Sequence, residues 1–147
     1  MGDGWCQAVL MGRDVADFIR MVNEHPGHSA LGLVTDFLDD GECRLRWVPT
    51  DQAGTPFGHL YSGAMGWAMD AAANNAVFSG LDEHENQVQL SFTSQMLRGA
   101  SVGDTLTVVG RMARRGRTNA FADAWVEDEQ GRVVCRGQST HQILSSS

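Results

Sequence analysis

Apolar and polar positions divide the chain into an early helix, a hairpin, one long apolar run and a series of short alternating segments. Over residues 14–23, Val15, Phe18, Ile19 and Val22 recur at helical spacing, the mark of an amphipathic helix. His25-Pro26-Gly27-His28 stops it as a solvated turn. Alternation over residues 31–38 and 43–48, on either side of Asp39-Asp40-Gly41, predicts a β-hairpin. A loop punctuated by Gly54, Pro56 and Gly58 then leads to residues 62–78, apolar nearly all the way round and so read as a buried helix. Ser62 is placed to cap it and Gly80 to close it.

Past residue 86 the period shifts to two. Val88, Leu90, Phe92 and Met96 fall on one face, with Gln87, Gln89, Ser91, Thr93 and Gln95 opposite. Further strands are expected near residues 106–112, 120–126 and 133–144, joined by turns at 114–117 and 127–131. The class is therefore α+β: an antiparallel sheet with one long helix between its second and third strands, plus a short N-terminal helix. The chain, residues 1–147, reads as a single domain with its core over about 30–144 and a loose arm at 1–11.

Two residues of the long helix break its pattern. Gly66 lowers helix stability by about 1 kcal/mol relative to Ala, which a close neighbouring backbone would explain. Asp70 is the only Asp, Glu, Lys or Arg between Asp51 and Asp82. A carboxylate in such surroundings needs partners, a wet pocket or a proton. Asp70 is thus the first candidate for chemistry. The alternative is a structural acid bonded to Asn74, one turn away, or to a strand amide.

Composition narrows the field. The net charge of −7 argues against general nucleic-acid binding. All eleven basic residues are Arg, and guanidinium forks suit phosphate oxygens. Cys6, Cys43 and Cys135 are odd in number and lack metal-ligand spacing, so neither a metal site nor a disulfide framework is expected. A reducing, cytoplasmic compartment fits them best, and no segment has the length of a membrane span.

A sheet wrapped round one apolar helix is the outline of the hotdog fold, and the motifs sharpen the likeness. Tyr61-Ser62-Gly63, Asp70, Met96-Leu97-Arg98-Gly99, Gly103-Asp104-Thr105-Leu106, Arg115-Gly116-Arg117 and Asp128-x-x-Gly131-x-x-Val134 follow one another at family spacing. In these the chain resembles the hotdog acyl-CoA thioesterases of the phenylacetate-degradation type. The departure is Tyr61-Ser62, where that family commonly has His-Gly.

The resemblance implies hydrolysis of an aryl- or medium-chain acyl-CoA, with coenzyme A entering only as part of the substrate and no separate cofactor. It implies a homodimer or dimer of dimers, in which Asp70 of one subunit meets the helix N-terminus of the other. Asp70 would act as general base or as nucleophile. Backbone N–H groups of Ser62 and Gly63 would polarise the carbonyl, with Tyr61 as a further donor. Gln89 falls where relatives orient the water, and Thr55 where some help to position it. Arg114, Arg115 and Arg117, with Arg98 as a second candidate, would hold the phosphates of coenzyme A. A non-catalytic hotdog domain that binds acyl-CoA is the alternative, while a hydratase or dehydratase lacks its expected His motif.

Overall fold

The computed structural model describes residues 14–145; the arm expected over 1–11, and Cys6 within it, lie outside the described residues. Asp14 caps α1 (Val15–Glu24), its carboxylate accepting from the N–H groups of Ala16 and Asp17. A second short helix follows, α2 (Pro26–Leu31), where a solvated turn was expected. Pro26 is the reason: at the first turn its fixed φ and missing N–H suit a helix start, and His25 caps through Nδ1. Far from being solvated, His28 is buried.

The hairpin is formed by β1 (Leu33–Asp39) and β2 (Glu42–Trp47). Asp40 and Gly41 both have positive φ at its turn, the geometry that matches the twist of paired strands. A 3-10 turn (Asp51–Ala53) leads to the long helix α3 (Ser62–Ser79), then to β3 (Glu85–Met96), β4 (Leu106–Arg115), β5 (Asn119–Glu127) and β6 (Val133–Ser145). The six strands form one antiparallel sheet in the order β1-β2-β4-β5-β6-β3. This is the hotdog architecture, with β1 and β3 at the edges.

The inner face of the sheet closes on α3. Ala64, Met65, Ala68, Met69, Ala72, Ala73, Ala76 and Val77 pack against Leu45, Trp47, Val108, Ala122, Ala124 and Val126. Small side chains bring helix and sheet close, and the tightest point is Gly110 of β4. A Cβ there would lie 2.1 Å from the carbonyl oxygen of Ala72. Gly66 has no such neighbour: a Cβ there would meet nothing within 4 Å, so the close approach expected at Gly66 belongs to Gly110 instead. The opposite side of α3, carrying Ser62, Gly63, Gly66, Trp67, Asp70, Ala71 and Asn74, opens on a cleft.

One irregularity reorganises β3. Gln89 pairs with His141 and Ser91 with Thr140, so Leu90 is an extra residue in the ladder. A bulge of this kind shifts the alternation of side chains by one. Gln87 and Gln89 therefore face α3 while Val88 and Leu90 are exposed, and beyond the bulge Phe92, Ser94 and Met96 turn to the cleft. The single apolar face expected for Val88, Leu90, Phe92 and Met96 is thus corrected: the bulge splits it in two.

Candidate active site

The cleft beside α3 has a volume of about 890 Å³, within the usual range for a small-molecule site. Its walls are Met21 and Val22 of α1, His25 and His28, the polar side of α3, and Phe92, Ser94 and Met96 of β3. Trp67 lies over α2, packed against Gly27 and edge-on to His28. Neither ring nitrogen of His28 has a hydrogen-bond partner among the described residues. Burial, and then the neighbouring His25, hold its pKa below the ordinary value, so the ring is neutral.

Asp70 stands on this cleft, and its carboxylate is bonded to a strand amide rather than to Asn74. Gln89 Nε2 donates to Asp70 Oδ1 at 2.8 Å. Asn74 instead donates to the backbone carbonyl of Asp70 at 2.8 Å and to Gln89 Oε1 at 2.8 Å. Gln87 Nε2 donates to Asn74 Oδ1 at 3.2 Å, and Gln87 Oε1 meets His141 Nδ1 at 2.7 Å. His141 Nε2 then meets Ser139 Oγ at 2.6 Å. A continuous polar chain thus runs from the cleft to the inside of the sheet. Burial lowers the pKa of the fully buried His141, with the charge of Asp70 pulling the other way.

The N-terminus of α3 opens on the same cleft. Tyr61, not Ser62, is the N-cap, and it caps without its side chain. Extended backbone at Tyr61 makes Ser62 the first helical residue. Intrahelical bonding to the Tyr61 carbonyl begins with Ala64 and Met65. Among the described residues the N–H groups of Ser62 and Gly63 have no acceptor, as first-turn donors often do not. They carry the positive end of the helix dipole. Ser62 also borders a second, smaller cleft of about 530 Å³, shared with Thr55, Tyr61, Met65 and Arg98. Thr55 is occupied locally, its hydroxyl accepting from Phe57 N–H.

The basic turn lies elsewhere. Arg115 is paired with Glu85 at the start of β3, beyond the C-terminal end of α3. Arg114 and Arg117 are exposed and have no ion partner among the described residues. The structure gathers Asp70, Asn74, Ser62 and Gly63 on one cleft, with Gln89 bonded to Asp70 and Asn74, and Thr55, Tyr61, Ser62 and Arg98 on the adjoining one. It leaves the Arg114 to Arg117 turn at the other end of the helix. His141 and Gln87 are the members that sequence reasoning passed over. Their signal was present in the period of two, which sets Ser139, His141 and Ile143 on one face of a strand, and that face is the buried one.

Cys43 and Cys135 are free and buried, and burial pushes both thiols up to about 12. Neither is a nucleophile at neutral pH. Among the described residues no cluster of His, Cys, Asp or Glu has the makings of a metal site. No helix among them is long and apolar enough to cross a membrane.

Comparison with known proteins agrees with this fold. AziG of S. sahachiroi is 25% identical, with a TM-score of 0.77 over 82% of this chain and 98% of its own. The E. coli PaaI protein, from the phenylacetic acid degradation operon, is 20% identical, with a TM-score of 0.78 over 90% of this chain and 94% of its own. A hypothetical thioesterase of Streptococcus pneumoniae TIGR4, solved with coenzyme A, is 21% identical, with a TM-score of 0.73 over 80% and 91%. No curated protein matches the sequence. The family model of the thioesterase superfamily matches residues 57–135, which include Asp70 and both clefts' helical wall. The chain therefore belongs to the thioesterase superfamily.

Proposed function

We propose that the protein is an acyl-CoA thioesterase acting on an aryl- or medium-chain acyl group, with Asp70 as its catalytic carboxylate. The observation that carries this reading is the state of that side chain. Oδ1 is held by Gln89, and Asp70 opens on a cleft walled by Trp67, Phe92 and Met96. Acting as general base, Asp70 takes a proton from a water whose oxygen attacks the thioester carbon. The C–S bond then breaks, giving the free acid and the thiol of coenzyme A. Acting as nucleophile, an oxygen of Asp70 attacks that carbon and expels the thiolate of coenzyme A, and water opens the resulting mixed anhydride in a second step. Both routes need donors for the developing oxyanion.

Ser62 and Gly63 supply such donors, but along the axis they stand roughly 10–12 Å from Asp70 at 1.5 Å per residue. One carbonyl does not span that gap. A homodimer closes it by bringing the helix N-terminus of a second copy to Asp70. β3 favours such a partner, since it is an edge strand that exposes Val88 and Leu90. Coenzyme A in the pneumococcal relative is consistent with a CoA thioester here. Arg98 beside Ser62, and Arg114 and Arg117 on their turn, are the guanidinium groups open to its phosphates.

The test is thiol release from a panel of aryl and aliphatic acyl-CoA esters. Wild type hydrolyses at least one, and Asp70→Asn lowers kcat by about 10²-fold or more, the scale of a lost acid–base group. Full turnover in the variant would make Asp70 structural. No turnover by wild type would favour an acyl-CoA-binding domain without hydrolysis.

A further inference from the structure

We propose that His141 is a positioning residue for the Asp70 carboxylate, acting through Gln87, Asn74 and Gln89. The proposal rests on the thioesterase reading for its consequence in turnover, but its geometry stands on the hydrogen bonds alone.

An ionised carboxylate only accepts. Gln89 must therefore turn its amide NH₂ to Asp70 Oδ1, which turns its carbonyl to Asn74. Asn74 spends one N–H on that carbonyl and the other on the Asp70 backbone oxygen, so its own carbonyl is left to face Gln87. Gln87 donates there and presents Oε1 to His141. That oxygen requires a proton on Nδ1. Nε2 of the neutral ring is then bare and accepts from the Ser139 hydroxyl. One carboxylate thus dictates three amide orientations and one imidazole tautomer. Every donated hydrogen from Ser139 onward points toward Asp70.

Chains in which each group both accepts and donates polarise one another in the same sense. Here the sum is delivered to Oδ1, which fixes the carboxylate plane and leaves the second oxygen for water. His141 is 0% exposed, so no bulk water replaces its N–H if the ring is removed. Gln87 Oε1 would then be orphaned, the amide free to turn, and the grip on Asp70 loosened three hydrogen bonds away.

The experiment compares wild type with His141→Phe and His141→Asn on the acyl-CoA panel. Asn places a side-chain N–H near the position of Nδ1; Phe does not. His141→Phe is expected to lower kcat by about tenfold to a hundredfold, the cost of a small misplacement at the reacting group, with KM nearly unchanged. His141→Asn is expected to restore most of the loss. Equal losses in both variants, or no loss in Phe, would overturn the proposal. Should His141→Phe fail to fold, Gln87→Met cuts the same chain at a half-buried position and is expected to show the same kcat loss; an unchanged kcat there would overturn it.

Nitrogen NMR gives a readout that needs no turnover. Wild-type His141, assigned by the signal missing from His141→Asn, should be a single Nδ1–H tautomer. In Asp70→Asn, where the side chain can donate as well as accept, that preference should weaken. An Nε2–H tautomer in wild type, or a tautomer indifferent to Asp70→Asn, would overturn the proposal. If wild type cleaves no thioester, the functional reading fails and the NMR result alone decides the coupling.

Discussion

His28 and His141 are both buried imidazoles, and they meet burial in opposite ways. His141 bonds at both nitrogens, whereas among the described residues His28 bonds at neither. An unpaired buried polar group costs about 1–3 kcal/mol. His28→Leu is therefore expected to raise stability by about 1 kcal/mol or more, read from urea unfolding at pH 7. Both rings have folded pKa values below the ordinary 6.5. Below about pH 6.5 the unfolded chain binds protons that the folded chain refuses. Stability thus rises with pH up to that point and is lost as pH falls below it. His28→Leu should flatten this slope between pH 5 and 6.5, and an unchanged slope would refute the assignment. At this scale Asp70 was legible because it is a lone charge in an apolar run. The role of His141 was not, because its partner Gln87 is 54 residues away and is brought to it only by the sheet.

The long helix announced itself by composition, and its docking depends on Gly110 rather than on its own Gly66. Gly110 lets β4 touch the backbone of α3, with Ala72 and Ala73 both inside the space of a Cβ. Gly110→Ala is expected to destabilise the fold by about 3 kcal/mol or more, since backbone on both sides must move. Gly66 faces the cleft with open space around it. Gly66→Ala should instead add about 0.5–1 kcal/mol through helix propensity. Denaturant midpoints of the two variants check both signs. The sequence pointed to a tight contact and assigned it to the wrong partner, because a helix pattern records its own residues and not what faces them. The same blindness hid α2, whose Pro reads as a stop when viewed from α1 and as a start when viewed from Leu31.

For the whole molecule, the two sheet edges are treated differently. β1 is shielded by α1, where Asn23 bonds both the N–H and the carbonyl of Thr35. Among the described residues β3 has no such helix across it, and it exposes Leu90 at 57%. If β3 joins two copies, the double substitution Val88→Lys, Leu90→Lys should convert a dimer to a monomer in sedimentation and remove hydrolysis while leaving the fold intact. An unchanged dimer would place the interface elsewhere. The antiparallel sheet round one helix was readable from spacing alone. Which face of β3 looks inward was not, because a bulge is a relation between two strands.

That bulge makes Leu90 a spacer between two halves of β3 that run in opposite phase. The first half lends its amides to the polar chain, and the second lends Phe92 and Met96 to the cleft wall. A reading frame of side chains is set by one residue that touches neither. Without Leu90 the ladder would alternate regularly, with Gln89 and Phe92 facing inward on either side of Ser91, so the bulge absorbs one surplus residue and leaves both halves of the wall in place.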